Sequence, residues 1–258
     1  MHRLLARLQG RGSQQLTWGL FKGSSMTDSK HRAISANEVR EIVWGSNAEA
    51  QTLFKQHFGD EIERAVHVLG GAYADFQRLQ ASVSLDERTA TVQMFIHVAL
   101  ASVIASLHHL VSGYPIAAGH MMRHYTEAIA MALMCSDEST GTYEKYAADR
   151  RTFPVHKSPE MLRRKKVRNA LGRSLGFDGQ AWEQVLAIAE LYDTLSHASA
   201  LALGFHMLFT EEGGLVVGSE FDPTKSEEYK SDIIRRRSAA EALAHIVPLI
   251  MGVLPRKK

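Results

Sequence analysis

The chain has 258 residues, 45% hydrophobic and 22% charged, with a formal net charge of +2 and a single cysteine, Cys135. That length suffices for one large core, and the near-balance of charge excludes a global electrostatic argument for nucleic acid or membrane. One cysteine excludes an intramolecular disulfide and favours a reducing compartment, most simply the cytoplasm.

Residues 1–27 contain no acid, while Arg3, Arg7, Arg11 and Lys22 are basic. No apolar run there is long enough for a signal-peptide core. Residues 1–34 therefore read as a flexible basic leader, with Met26 as an alternative start, and residues 35–258 as a single helical domain.

Ser35 to Trp44 fits a short helix. From Asn47 onward Leu53, Phe54, Phe58, Ile62, Val66, Leu69 and Tyr73 recur at helical spacing. Gly70-Gly71 predicts a bend in that helix. Asp86-Glu87 places acids where the dipole of the next helix favours them. That helix is apolar nearly all round to about Val111, which predicts a central position. Its Ala101, Ser102, Ala105 and Ser106 form a small-residue face open to close approach. Gly113-Tyr114-Pro115 then leads into a second core helix ending near Cys135.

The run from Met94 to Leu107 falls short of the roughly 20 residues a membrane span needs. The second helix carries His120, Arg123, His124 and Glu127, which are costly in lipid. A core hairpin is expected, with no membrane span.

Thr142 to Arg151 reads as a short helix, broken by Pro154. Ser158-Pro159-Glu160 opens a strongly basic helix that Gly172 and Gly176 end. Asp178 caps a long helix reaching about Leu203. Met207–Phe209 and Leu215–Val217 flank Glu211-Glu212-Gly213-Gly214 and predict a β-hairpin. Thr224 and Glu227 form a capping-box pattern before the last helix, whose face reads Tyr229, Ile233, Ala240, Leu243, Ile246, Val247 and Ile250, with a kink expected at Pro248. The expected class is an all-α, multi-helix bundle with one small β-hairpin before the C-terminal helix.

Three groups of residues could carry chemistry. Arg123 and Glu127 sit four apart on an otherwise apolar helix, in the order less favourable for a local pair. Each is expected to find a partner on another helix, as a polar site or as a structural ion pair. His120 and His124 share a face with Glu127, but Met121 stands where a metalloprotease helix needs its glutamate, so no metal and no cofactor is expected. On the later helix, Glu190, Asp193 and His197 share one face, and Tyr192 and Ser196 a neighbouring one. The last group is basic: Arg163, Arg164, Lys165, Lys166 and Arg168 lie together, a patch suited to RNA or another polyanion or else a solvated face. Arg235-Arg236-Arg237 would extend it.

The layout also resembles a group of uncharacterised bacterial proteins of HEPN-like helical type. The resemblance rests on Arg123-His124-Tyr125-Thr126-Glu127 after a buried helix, on Tyr192-Asp193-Thr194-Leu195-Ser196-His197-Ala198-Ser199, and on the hairpin and final helix. It covers roughly Thr52 to Leu254. It implies an all-helical domain in which Arg123, Glu127, Tyr192, Ser196 and His197 converge. It also implies a nucleic-acid-associated role in defence or mobile-element biology. HEPN ribonucleases pair an arginine with a histidine four to six residues later on one helix. Here only Arg150 and Arg151 before His156 have that spacing, and Pro154 stands between them. The architecture therefore carries over and the catalysis does not. The second reading is a non-catalytic interaction or ligand-binding module, in homodimeric form.

Overall fold

The computed structural model describes residues 47–176, 186–187, 192, 208–209, 215–216 and 221–257. The leader, the Ser35–Trp44 helix and most of the Asp178 helix lie outside the described residues. The described part is an all-helical bundle of seven α-helices. They are α1 (Ala48–Ser82), α2 (Glu87–Val111), α3 (Pro115–Ser136), α4 (Thr142–Ala148), α5 (Ser158–Leu162), α6 (Lys165–Leu175) and α7 (Ser226–Val253).

α1 breaks its helical geometry at Phe58 (φ −135°, ψ 16°), not at the diglycine. Gly70 and Gly71 lie in continuous helix with open space around them. Phe58 turns into an aromatic cluster with Phe54, Phe221 and Tyr229, and the packing of those rings outweighs the weak helix propensity of the glycines.

Asp86 caps α2 by accepting from the Thr89 amide at 2.7 Å, and this bond holds its carboxyl below the usual carboxylate range. Gly113 takes a left-handed φ of 79° that a side chain would resist, and Pro115 begins α3. Ser106 Oγ donates to the Ala118 carbonyl at 2.6 Å and fastens the two helices together. Ser102 and Ser106 are buried, but Ala101 faces solvent, so only half of the small-residue face is used.

The most enclosed segment is the end of α3, where every residue from Ala128 to Ser136 is buried. A segment buried on all sides has no amphipathic stripe to read. α2, expected to be central, keeps one face outside. By length and composition it is also apolar enough to cross a bilayer, although most of that stretch is packed inside the bundle.

The basic helix is two pieces. Arg164 is extended (ψ 126°) and separates α5 from α6. Arg164 is the N-cap of α6, and its carbonyl accepts from the Arg168 amide at 3.0 Å. Ser158 does not cap α5; its Oγ donates to the Glu127 carbonyl at 2.9 Å. α6 runs through Gly172 and stops at Gly176 (φ 65°).

Leu208–Phe209 pairs antiparallel with Leu215–Val216. The residues between them lie outside the described residues. Before α7, Asp222 caps the 3-10 turn Pro223–Lys225 by accepting from the Thr224 amide at 3.0 Å, and α7 itself starts after Lys225 with no side-chain cap in place of the Thr224–Glu227 box. α7 continues past Pro248 to Val253 without ending there. Val247 and Ile250 on either side are buried, so tertiary packing holds the last turn despite the missing donor.

The C-terminal segment folds back on the α1–α2 turn. Ser84 N donates to the Pro255 carbonyl at 2.7 Å and Lys257 N to the Ser82 carbonyl at 3.1 Å. Val83 and Arg256 form an isolated antiparallel bridge.

Candidate functional site

The buried ionisable cluster of this fold is not the one the sequence points to. α7 turns Tyr229, Asp232, Ile233, Arg236, Ala239, Ala240 and Leu243 inward, so Arg236 is 0% exposed. Its Nη1 meets Asp232 Oδ2 at 2.5 Å and its Nε donates to Ser106 Oγ at 2.8 Å. Tyr192 OH donates to Asp232 Oδ1 at 2.9 Å, and the Arg236 guanidinium lies 5.7 Å from the Tyr192 ring centroid. Burial opposes the charge on Arg236, but the Asp232 carboxylate outweighs it and raises the arginine above its ordinary pKa. Burial likewise pushes the Tyr192 phenol upward. Arg236 therefore stays protonated and the Tyr192 phenol stays neutral. None of the four side chains reaches solvent to an extent that would admit a substrate.

Arg236 therefore does not extend the basic patch. Its neighbours are also engaged: Arg235 lies 4.0 Å from Asp232, and Arg237 bonds Glu61 of α1 at 3.0 Å. The pattern was visible in the spacing, since Asp232 precedes Arg236 by four residues in the favourable order and both fall on the apolar face of α7.

Arg123 and Glu127 do meet, but along their own helix: Arg123 Nε donates to Glu127 Oε1 at 2.9 Å, and both are partly buried. The Ser158 hydroxyl on the Glu127 carbonyl steadies that turn. His120 and His124 face solvent. Among the described residues no group of three metal-ligating side chains converges. Ser196 and His197 lie outside the described residues, as do Glu190 and Asp193. Of the five residues proposed to converge, the structure joins Arg123 to Glu127 and joins Tyr192 to Asp232 and Arg236.

Arg163, Arg164, Lys165 and Lys166 are exposed at the α5–α6 break, and Arg168 is half-buried. Arg150, earlier in the chain, lies 3.6 Å from Glu87. α4 ends at Ala148 and His156 sits in a separate 3-10 turn (Val155–Lys157), so Arg150, Arg151 and His156 do not share a helix.

The open cleft lies elsewhere, between α1 and α2. It holds about 470 Å³ and is lined by Tyr73, Phe76, Gln80, Leu85, Gln93 and Met94, among others. Tyr73 OH and His97 Nδ1 are 3.2 Å apart across it, and Gln80 Nε2 donates to Gln93 Oε1 at 3.0 Å. Gln93 is buried and its own amide nitrogen has no acceptor. Nothing in the sequence reading singled out this cleft; the signal was the set of apolar residues left over on α2 after its core face is assigned.

These features define a helical-bundle protein with an internal ion-pair network and one exposed apolar face. No family model matches the chain, and no similar curated protein or solved structure is found.

Proposed function

We propose that this chain is a non-catalytic helical interaction module. The observation that carries the reading is the exposed apolar face on α1 and α2. Val66, Leu85, Met94, Val98 and Ile104 are between 39% and 74% exposed there, and clustered surface of that kind marks a binding site. The fully buried ionisable groups support the same reading, because Arg236, Asp232 and Tyr192 are engaged in holding helices together. A small β-hairpin before α7 belongs to the proposal, as does a reducing, cytoplasmic setting suited to the single buried thiol. The test is incubation of the protein with single-stranded RNA in magnesium and in manganese. No cleavage is expected. Cleavage that Arg123→Ala abolishes would overturn the reading.

A second reading is favoured by one observation. Four consecutive cationic side chains, Arg163 to Lys166, are exposed at the α5–α6 break, and such a cluster attracts phosphate backbones. It supports the HEPN-like, nucleic-acid-associated function as a binder. RNA affinity that falls steeply with salt, and weakens in Lys165→Glu/Lys166→Glu, would favour it. Salt-insensitive or absent binding removes it.

A further inference from the structure

We propose that the α1–α2 face docks a second copy of this chain, with α2 packed antiparallel on α2 about a twofold axis beside Val98. The inference rests on the interaction-module reading and names its partner.

Five of the six large apolar side chains exposed among the described residues lie on α1, α2 or the turn between them. Along α2 the exposed positions Ala90, Met94, His97, Ala101, Ile104 and His108 alternate in spacings of four and three. They mark the one side of α2 that the bundle leaves uncovered. On α1, Val66 and Tyr73 are seven apart and share a side of the helix. The Tyr73···His97 contact at 3.2 Å ties that side to the α2 seam. Ala90, Ala101 and Gly70 carry little or no side chain, so a partner backbone can come close.

The seam is its own complement. It runs from Glu87 to His108, and its midpoint falls between His97 and Val98. Two antiparallel copies set Met94 over Ala101 and Ala90 over Ala105, large on small and small on small. They also bring Glu87, which has Arg150 at 3.6 Å within its own copy, to the exposed His108 of the other. A parallel arrangement would set Glu87 on Glu87. Between Ala90 and Ile104 the seam carries no Asp, Glu, Lys or Arg, so a strongly charged partner segment finds nothing to pair with.

The area sets the strength. At 1.5 Å per residue the seam is about 32 Å long, and two adjacent helices give it a width of about 20 Å. The footprint is therefore about 600 Å² per copy, or about 1,200 Å² in all, at the lower edge of specific interfaces. A dimer of micromolar Kd is expected.

The test is light scattering on the full chain, from about 1 to about 100 µM. The mass should rise from 28.7 kDa toward twice that value. Val98→Asp and Ile104→Arg should each weaken the dimer at least about tenfold, with an unchanged thermal melt at concentrations where the chain is monomeric, because both side chains are already exposed in one copy. Oxidised Val98→Cys should cross-link to itself, while Asn169→Cys, exposed on α6, should not; the buried Cys135 stays silent in both. A chain that remains monomeric throughout, or a dimer indifferent to both face variants, overturns the inference. So does flotation of the monomer with phosphatidylcholine vesicles, which would assign the face to lipid. A monomeric result leaves the non-catalytic reading standing, and RNA cleavage would sink that reading without touching the dimer.

Discussion

Arg236 Nη1 and Asp232 Oδ2 lie 2.5 Å apart, one turn from each other on α7, with both residues buried. The pair connects α7 to α2 through Ser106 and to Tyr192. Removing one partner strands the other charge out of water, which costs about 3–5 kcal/mol. Arg236→Ala should therefore lower unfolding free energy by that amount in urea melts. Asp232→Leu/Arg236→Met, which removes both charges, should recover most of the loss. A double variant as unstable as the single one would show that the network contributes more than charge compensation. Tyr192→Phe deletes one bond to a charged acceptor and should cost about 1.5–3 kcal/mol.

Burial and the neighbouring His108 hold the His109 imidazole below its ordinary pKa. The folded state thus favours neutral His109, while the unfolded chain takes up its proton near pH 6.5. Stability from this group is fully present above that pH. It is lost as pH falls from the unfolded pKa toward the lower folded one. His109→Gln should flatten the decline in melting temperature between about pH 7 and pH 5. Parallel pH profiles for the two proteins would rule out the assignment.

Cys135 is buried at the end of α3, and burial pushes its thiol up to about 12. The thiolate is the reactive form, so the native protein should resist a disulfide-exchange reagent at neutral pH. The full equivalent should react in denaturant. Rapid reaction of the native protein would mean that the α3 end opens readily.

Gly71 sits in continuous helix on the surface, and an added Cβ meets nothing within 4 Å. Gly71→Ala should stabilise the protein by about 0.5–1 kcal/mol, because alanine loses less backbone freedom on folding. A lower melting temperature would mean that the glycine serves something other than the helix.

Most of the helical frame was legible because its signals are local. The recurrence of Leu53, Phe54, Phe58 and Leu69 marks α1, Asp86 marks the start of α2, and Gly113-Tyr114-Pro115 marks the corner. Misreadings came where distant packing overrode a local preference. The bend falls at Phe58, where an aromatic cluster draws the ring in, and not at the permissive diglycine. The buried network was missed because three consecutive arginines look like solvated charge. Only their register against Tyr229 and Leu243 shows that the middle one must point inward. Arg123 and Glu127 were legible as a pair, and the structure closes them on each other within α3.

The bridge between Val83 and Arg256 has a consequence for biosynthesis. The corner after α1 is translated early, yet the strand segment that latches it emerges about 170 residues later. On the ribosome, the corner between α1 and α2 must therefore wait unlatched until Lys257 has cleared the exit tunnel. Until that segment arrives, Ser82 and Ser84 of the nascent chain lack the backbone partners they have in the finished fold.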